Sequence, residues 1–333
     1  MSRRSLRKPS GISCVGKVSS EGSTVRVLVT GGAGFIGRWV VHALLARKDE
    51  VVVLDDLSNG SEANLKEFRR TRTFRFVKGD VSDPGSVADA FRPGFDLCVH
   101  LAAMIEVQKS IEDPRRTFDV NTAGTANVLE ECRQHDAKVI IVSTCMVYDM
   151  AGAGQGISEH HPTKPASPYA ASKLAADMLA LSYHHAYGLP VVIVRPFNTY
   201  GPHQKSNQEG GVVAVFLARA LAGKSLPVFG EGSQTRDFLY VDDCADLVLR
   251  AAADPRAHGE IVNGGTGREI TILELARLIA GPAGRIEHKP HPHPQSEIHR
   301  LRCDPSKAMA LLGWKPTVTL EEGIRRTKEW MSP

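Results

Sequence analysis

Long apolar runs are missing from this chain. None approaches the roughly 20 residues that a membrane-spanning helix needs, so no membrane association of that kind is expected. Closely paired cysteines are missing too. The six cysteines, Cys14, Cys98, Cys132, Cys145, Cys244 and Cys303, are scattered through 333 residues, which argues against a disulfide-stapled secreted scaffold and for reduced thiols in the cytoplasm. Acids are absent from the first twenty positions, where Arg3, Arg4, Arg7, Lys8 and Lys17 stand. That stretch has neither an amphipathic apolar face nor a secretory apolar core, and reads as a disordered basic tail over residues 1–24. Its five charges exceed the formal net charge of +4, so the rest of the chain lies near neutrality and no nucleic-acid-binding surface is expected. What is present is ordinary: 42% apolar and 23% charged residues, the balance of a globular protein. The length suits one large α/β domain or two smaller ones.

The first patterned stretch, Val25 to Thr30, is short, β-branched and closed by glycine, as a buried parallel strand would be. Gly31-Gly32-Ala33-Gly34-Phe35-Ile36-Gly37 comes next and runs into an apolar-periodic helix through Val40, Val41, Leu44 and Leu45. Strand, glycine turn and helix start together let backbone amides approach a pyrophosphate, with the helix N-terminus favouring negative charge. A second strand, Val51 to Leu54, ends at Asp55-Asp56, where a carboxylate accepts from ribose hydroxyls and repels a 2′-phosphate. NAD is therefore expected rather than NADP. Further strands are predicted at Phe74 to Val77, Asp96 to His100 and Lys138 to Val142, with helical segments between them. The expected fold is α/β, a doubly wound parallel, Rossmann-type sheet with a smaller C-terminal substrate-binding lobe. Gly31, Asp55, Asp80, Leu101 and Thr144 all follow strand ends and should converge on one crevice.

Just past the midpoint, Ser167-Pro168-Tyr169-Ala170-Ala171-Ser172-Lys173 opens a long predicted helix. Tyr169 and Lys173 are one turn apart, so the ammonium is expected to favour a phenolate, a suitable proton acceptor for an alcohol undergoing oxidation. A later strand, Val191 to Val194, leads into Arg195-Pro196-Phe197-Asn198, and a polar loop is expected from His203 to Gly211. Prolines alternate with two of His288, His291, His293 and His299, and these positions are not expected to form a completed metal set. They read as a solvated loop, with no metal expected.

Several motifs occur together: Gly31 to Gly37, His100-Leu101-Ala102-Ala103, Ser143-Thr144, Tyr169 with Lys173, Arg195 to Pro202, and Gly232 to Phe238. In these the chain resembles the extended short-chain dehydrogenases/reductases, and within them the nucleotide-sugar epimerases and dehydratases, over about residues 25 to 330. The resemblance implies NAD held by Gly31, Gly34, Phe35, Ile36, Gly37, Asp55, Asp56, Asp80, Val81, Leu101, Ala102, Ala103, Asn121, Ser143, Tyr169 and Lys173. Asp80 would meet the adenine amino group. The substrate it implies is a nucleotide-diphosphate sugar, bound by Thr144, Asn198, Arg236 and Arg300, the last two as phosphate-clamping arginines. Tyr169 would take the proton of the sugar 4-hydroxyl, Lys173 would lower the tyrosine pKa and bond the nicotinamide ribose, and Thr144 would bond O4.

Which product forms turns on the residues after Thr144. Dehydratases resembling this chain carry an Asp and a Glu there, whereas this sequence has Cys145 and Met146. Mannose 3,5-epimerases of the family use a cysteine, aligned with Met146 rather than Cys145. The expected activity is thus a 4-epimerase acting on a UDP-sugar through a transient 4-keto sugar, since that reaction needs no further acid or base. Decarboxylation of a hexuronate is the alternative, 4,6-dehydration comes third, and a catalytically silent NAD-binding module is a remote fourth. The resemblance further implies a homodimer through helices beginning near Asn121 and Pro168. Residues 25–197 are expected mainly to hold the cofactor, and residues 198–333 mainly the nucleotide sugar, with the chain crossing between lobes.

Overall fold

The computed structural model describes residues 24–207, 211–282, 284–291 and 294–332. Most of the expected basic tail, and residues 208–210 of the expected polar loop, lie outside the described residues.

The first part of the chain alternates strand and helix. It runs β1 (Arg26–Thr30), α1 (Phe35–Ala46), β2 (Glu50–Asp55), β3 (Phe74–Lys78), α2 (Pro84–Phe91), β4 (Leu97–His100), α3 (Val107–Glu112), α4 (Pro114–Phe118), α5 (Gly124–Gln134) and β5 (Lys138–Val142). Next come α6 (Pro168–Tyr187), β6 (Val191–Pro196), β7 (Asn198–Tyr200), α7 (Val212–Leu221), β8 (Leu226–Phe229), β9 (Thr235–Arg236) and β10 (Phe238–Tyr240). The remainder is α8 (Val241–Ala253), β11 (Ile261–Gly264), β12 (Ile270–Thr271), α9 (Ile272–Ala280), β13 (Ile286–Lys289), β14 (Arg300–Leu301), α10 (Ser306–Leu312) and α11 (Leu320–Met331).

Seven strands form one parallel sheet in the order β11-β6-β5-β4-β1-β2-β3. Alternate side chains serve opposite layers. Val27 and Val29 pack with α1 and α8, while Leu28 packs with α2, α5 and α6, so β1 is apolar throughout instead of alternating. Each such Val or Leu contributes about 1.5–3 kcal/mol when fully buried. From β1 the chain winds outward through β2 to β3, and from β4 outward the other way through β5 to β6. The reversal leaves a crevice at the carboxyl ends of β1 and β4, the place where doubly wound sheets bind ligands.

The smaller lobe is built from a β7–β10 pair, a three-stranded sheet β12-β9-β14 and a β8–β13 pair, covered by α7, α9 and α11. The boundary at residue 197 marks only one crossing. Residues 241–264 return to the large sheet, α8 lying against α1 and β11 adding its outermost strand. One difference concerns the helix expected near Asn121. The helical path begins earlier, at Pro114, with Asp113 accepting from Arg116 N, and Asn121 sits in a π-turn over Asp119–Ala123 between α4 and α5. Such a bulge re-aims side chains within a helix and is frequent at functional sites.

Candidate active site

The glycine turn is shaped by close approach. Gly31 adopts φ +70°, and a Cβ there would stand 2.6 Å from the backbone nitrogen of Ala102. A Cβ on Gly37 would lie 2.2 Å from the Gly31 carbonyl oxygen. Asp55, at the end of β2, accepts from Ala33 N at 2.9 Å and Leu57 N at 2.8 Å, so its carboxylate fixes both the glycine turn and its own loop. These features border an open cleft at the carboxyl ends of the strands. Of the residues expected to hold the cofactor, Gly31, Gly34, Phe35, Ile36, Gly37, Asp55, Asp56, Asp80, Val81, Leu101, Ala102, Ala103, Ser143, Tyr169 and Lys173 line it.

Asn121 stands behind the wall. Its amide accepts from Met104 N and donates to Met104 O and to Ser172 Oγ, tying the loop after β4 to α6. Sequence reasoning missed Ser58, Asn59 and Gly60, which also line the cleft. The turn-rich run from Asp55 to Gly60 directly after a strand end was the available signal. Asp80 lines the cleft but is bridged to Arg116 at 2.5 Å. Burial works to raise its pKa, yet the bonds from Arg116 and Ser82 prevail and hold it below the usual carboxylate value.

Under the cleft floor lies His100, 1% exposed, between two hydroxyls: Thr30 Oγ1 at 2.7 Å from Nδ1 and Thr125 Oγ1 at 3.0 Å from Nε2. Thr125 donates to Asn121 O, so it accepts from Nε2–H, and Thr30 donates to Nδ1. Burial first, and the nearby Lys173 cation second, push the His100 pKa down to about 3.

Helix α6 begins with Ser167 accepting from Ala170 N and Pro168 in its first turn, which sets Tyr169 and Lys173 on the face toward β5. Both are buried, at 8% and 2% exposure. Lys173 Nζ donates to Val142 O at 2.8 Å. Here the structure corrects one expectation. Burial pushes the Tyr169 phenol up to about 12, only partly opposed by the Thr144 hydroxyl, and Lys173 is not among the groups that lower it. Desolvation of the buried phenol is the largest cause. Cys145 is buried beside the site, and its thiol is likewise pushed up to about 12. Met146 packs on the same small apolar cluster.

The expected phosphate-clamping residues divide. Asn198 donates to Asp237 O at 3.3 Å. Arg236 donates to Thr235 O and Ile298 O and pairs with Glu297, which also holds His291 at 2.6 Å. Arg300 cannot work alongside Arg236. Register pairs Thr235 with Arg300 and Arg236 with Leu301, so the two arginines project to opposite faces of the small sheet. Arg300 and Thr235 share Glu269 on the far face, with Arg300 Nη2 at 2.6 Å. Arg236 faces the reaction end, where its charge acts on the Cys145 thiol. Among the expected loop histidines, His288 bonds Gly230 O, and His293 lies outside the described residues.

A doubly wound sheet, a glycine cradle at its switch point and a buried Thr-Tyr-Lys group beside it define a dinucleotide-dependent enzyme of the short-chain dehydrogenase/reductase class. Comparison gives the particular family: the NAD dependent epimerase/dehydratase family matches residues 27–265, and the chain belongs to it. The chain is 40% identical to a UDP-glucose 4-epimerase of Mycolicibacterium smegmatis, over 92% of this chain and 98% of that protein. It is 36% identical to a dTDP-glucose 4,6-dehydratase of Streptomyces niveus, over 92% of each. Among solved structures, Pal from Bacillus thuringiensis is 53% identical, with a TM-score of 0.91 over 92% of this chain and 98% of that one. A Thermus thermophilus UDP-glucose 4-epimerase in complex with NAD is 38% identical, with a TM-score of 0.84 over 92% and 98% of the two chains. NAD is the cofactor of this family, and the glycine cradle and Asp55 fit it. Among the described residues no helix is long and apolar enough to cross a membrane.

Proposed function

We propose that this enzyme is a nucleotide-sugar 4-epimerase acting on a UDP-sugar through a transient 4-keto sugar. The observation that carries this reading is the pair of residues directly after Thr144. Cys145 is a buried thiol held neutral and Met146 has no proton to exchange, so the turn offers no carboxylate to remove a C5 proton or expel a 6-hydroxyl. Epimerisation at C4 needs none.

NAD, held by the glycine turn and Asp55, would supply the acceptor and then the donor for the hydrogen at C4, with a positive charge on its oxidised form. Tyr169 takes the O4 proton as the C4–O bond becomes a carbonyl, and gives the same proton back when the alcohol re-forms on the other face. A phenol at about 12 is protonated at neutral pH, so its work as a base depends on the positive charge assembled around it. Thr144 donates to O4, and Lys173 orients the ribose next to Tyr169. The nucleotide diphosphate lies toward Asn198 and Arg236, giving residues 25–197 mainly to the cofactor and 198–333 mainly to the substrate. A homodimer is part of the proposal: Ile111, Phe118 and Met178 stay exposed on α3, α4 and α6, at 37%, 49% and 46%. Light scattering would test that assembly.

The activity test is incubation with NAD and a panel of UDP-sugars, with NMR of the products. A C4 epimer supports the proposal. A 4-keto-6-deoxy sugar would sink it in favour of dehydration, and a pentose in favour of decarboxylation.

A further inference from the structure

Tyr169, Lys173 and Asp177 recur at four-residue spacing, so one face of α6 carries phenol, ammonium and carboxylate in line. Asp177 is 0% exposed. Its Oδ2 accepts from Ser143 Oγ at 2.8 Å and from Arg195 Nε at 2.9 Å, while Oδ1 makes no hydrogen bond. Ser143 lies between Val142, whose carbonyl anchors Lys173, and Thr144. A single buried carboxylate is therefore joined to the strand end that carries both partners of the reacting group. A charge so deeply buried is costly, and Arg195 alone would satisfy a purely structural pair.

We infer that Asp177 is a positioning residue of the active site, holding Lys173 as a buried cation and, through Ser143, fixing the strand end that presents Thr144. The inference rests on reading Tyr169 and Lys173 as the acid–base pair.

The neighbouring charges support it. His100, from the end of β4, stays neutral, and so does the Cys145 thiol. Tyr148, stacked 4.8 Å from the Arg195 guanidinium, is pushed up to about 12 and is neutral as well. Burial pulls the Lys173 pKa down, and Asp177 opposes that. Two cations, Lys173 and Arg195, thus face one carboxylate. Asp177 itself repels a phenolate, but it lies two helical turns from Tyr169, about 12 Å along the axis, whereas Lys173 is about 6 Å from each.

The test is the titration of Lys173 in the full chain with NAD added to saturation. Carbon-13 at lysine Cε reports its protonation by NMR, and Lys173→Met assigns the resonance. In Asp177→Asn the midpoint should move acidward by about one pH unit or more, the effect of losing a close opposite charge. Asp177→Glu should restore it. A carboxylate that served only to hold Arg195 would change stability and leave the Lys173 midpoint in place, and an unmoved midpoint overturns the inference. If Asp177→Asn does not fold because Arg195 is left alone, Asp177→Asn combined with Arg195→Gln removes both charges. A smaller acidward shift is expected there, and no shift is again a refutation. The titration needs no substrate, so an inactive wild type would count against the proposed function and leave this measurement decisive.

Discussion

Lowering the pH from 7 to 5 should destabilise this enzyme from beneath its own cofactor cleft, through His100. The ring sits between the Thr30 and Thr125 hydroxyls with no exposed path, and its pKa is about 3 against an ordinary 6.5. Between those values the unfolded chain binds a proton that the folded protein refuses. The stability His100 provides is therefore complete above pH 6.5 and is lost as the pH falls from there toward 3. Linkage over the interval from pH 7 to pH 5 gives a loss of about 2 kcal/mol. His203 and His258 have lowered pKa values too and act in the same direction, so a variant is needed to isolate the contribution of His100. His100→Asn should cost about 1–3 kcal/mol at pH 7 through disrupted hydroxyl partners. Urea denaturation at both pH values should then show the gap between wild type and variant narrowing by about 2 kcal/mol at pH 5. Parallel losses in the two proteins would refute the reasoning, because His100 would then be free to take a proton in the folded state.

Three substitutions probe the site. Tyr169→Phe should reduce turnover by about 10²–10⁴-fold, the worth of a general base, while NAD released from denatured protein shows the cofactor still bound. Wild-type turnover would contradict the assignment. Cys145→Ala should leave product formation near wild type, because a thiol held at about 12 carries no proton in the cycle, whereas a loss of about a hundredfold would make it an acid–base group. Arg236→Lys should raise the KM for the UDP-sugar about tenfold by removing a planar donor fork, and Arg300→Lys should barely change it, since Arg300 projects from the opposite face. Equal effects in steady-state assays would show that the register argument misplaces them.

The fold was legible because its signals are local. Short β-branched runs located β1, β2, β5 and β6, with glycine closing the first and aspartate the second, and the glycine turn identified the cradle without any tertiary information. Residues whose roles depend on register were less accessible. Nothing in the spacing of Arg236 and Arg300 shows that they occupy opposite faces, because that depends on the pairing of strands more than sixty residues apart. Asn121 was found by motif, yet its place behind the cleft depends on a π-turn that a helical pattern does not reveal. The Tyr169–Lys173 spacing was visible, but the balance between burial and charge was not. Desolvation is set by the whole surrounding fold, so the phenol pKa moved up where the local pair suggested down. The fully buried Asp177 lies on the same helical face, and only Arg195 and Ser143, distant in sequence, distinguish it from one more polar residue of that helix.

The most direct measurement of the central claim is the fate of the hydrogen at C4. Supplied with NAD and a UDP-sugar deuterated at C4, the enzyme should yield the C4 epimer with the deuterium still at C4, as required when the same hydrogen leaves one face of the sugar and returns to the other. Deuterium found at C6, or exchanged into solvent, would contradict the account.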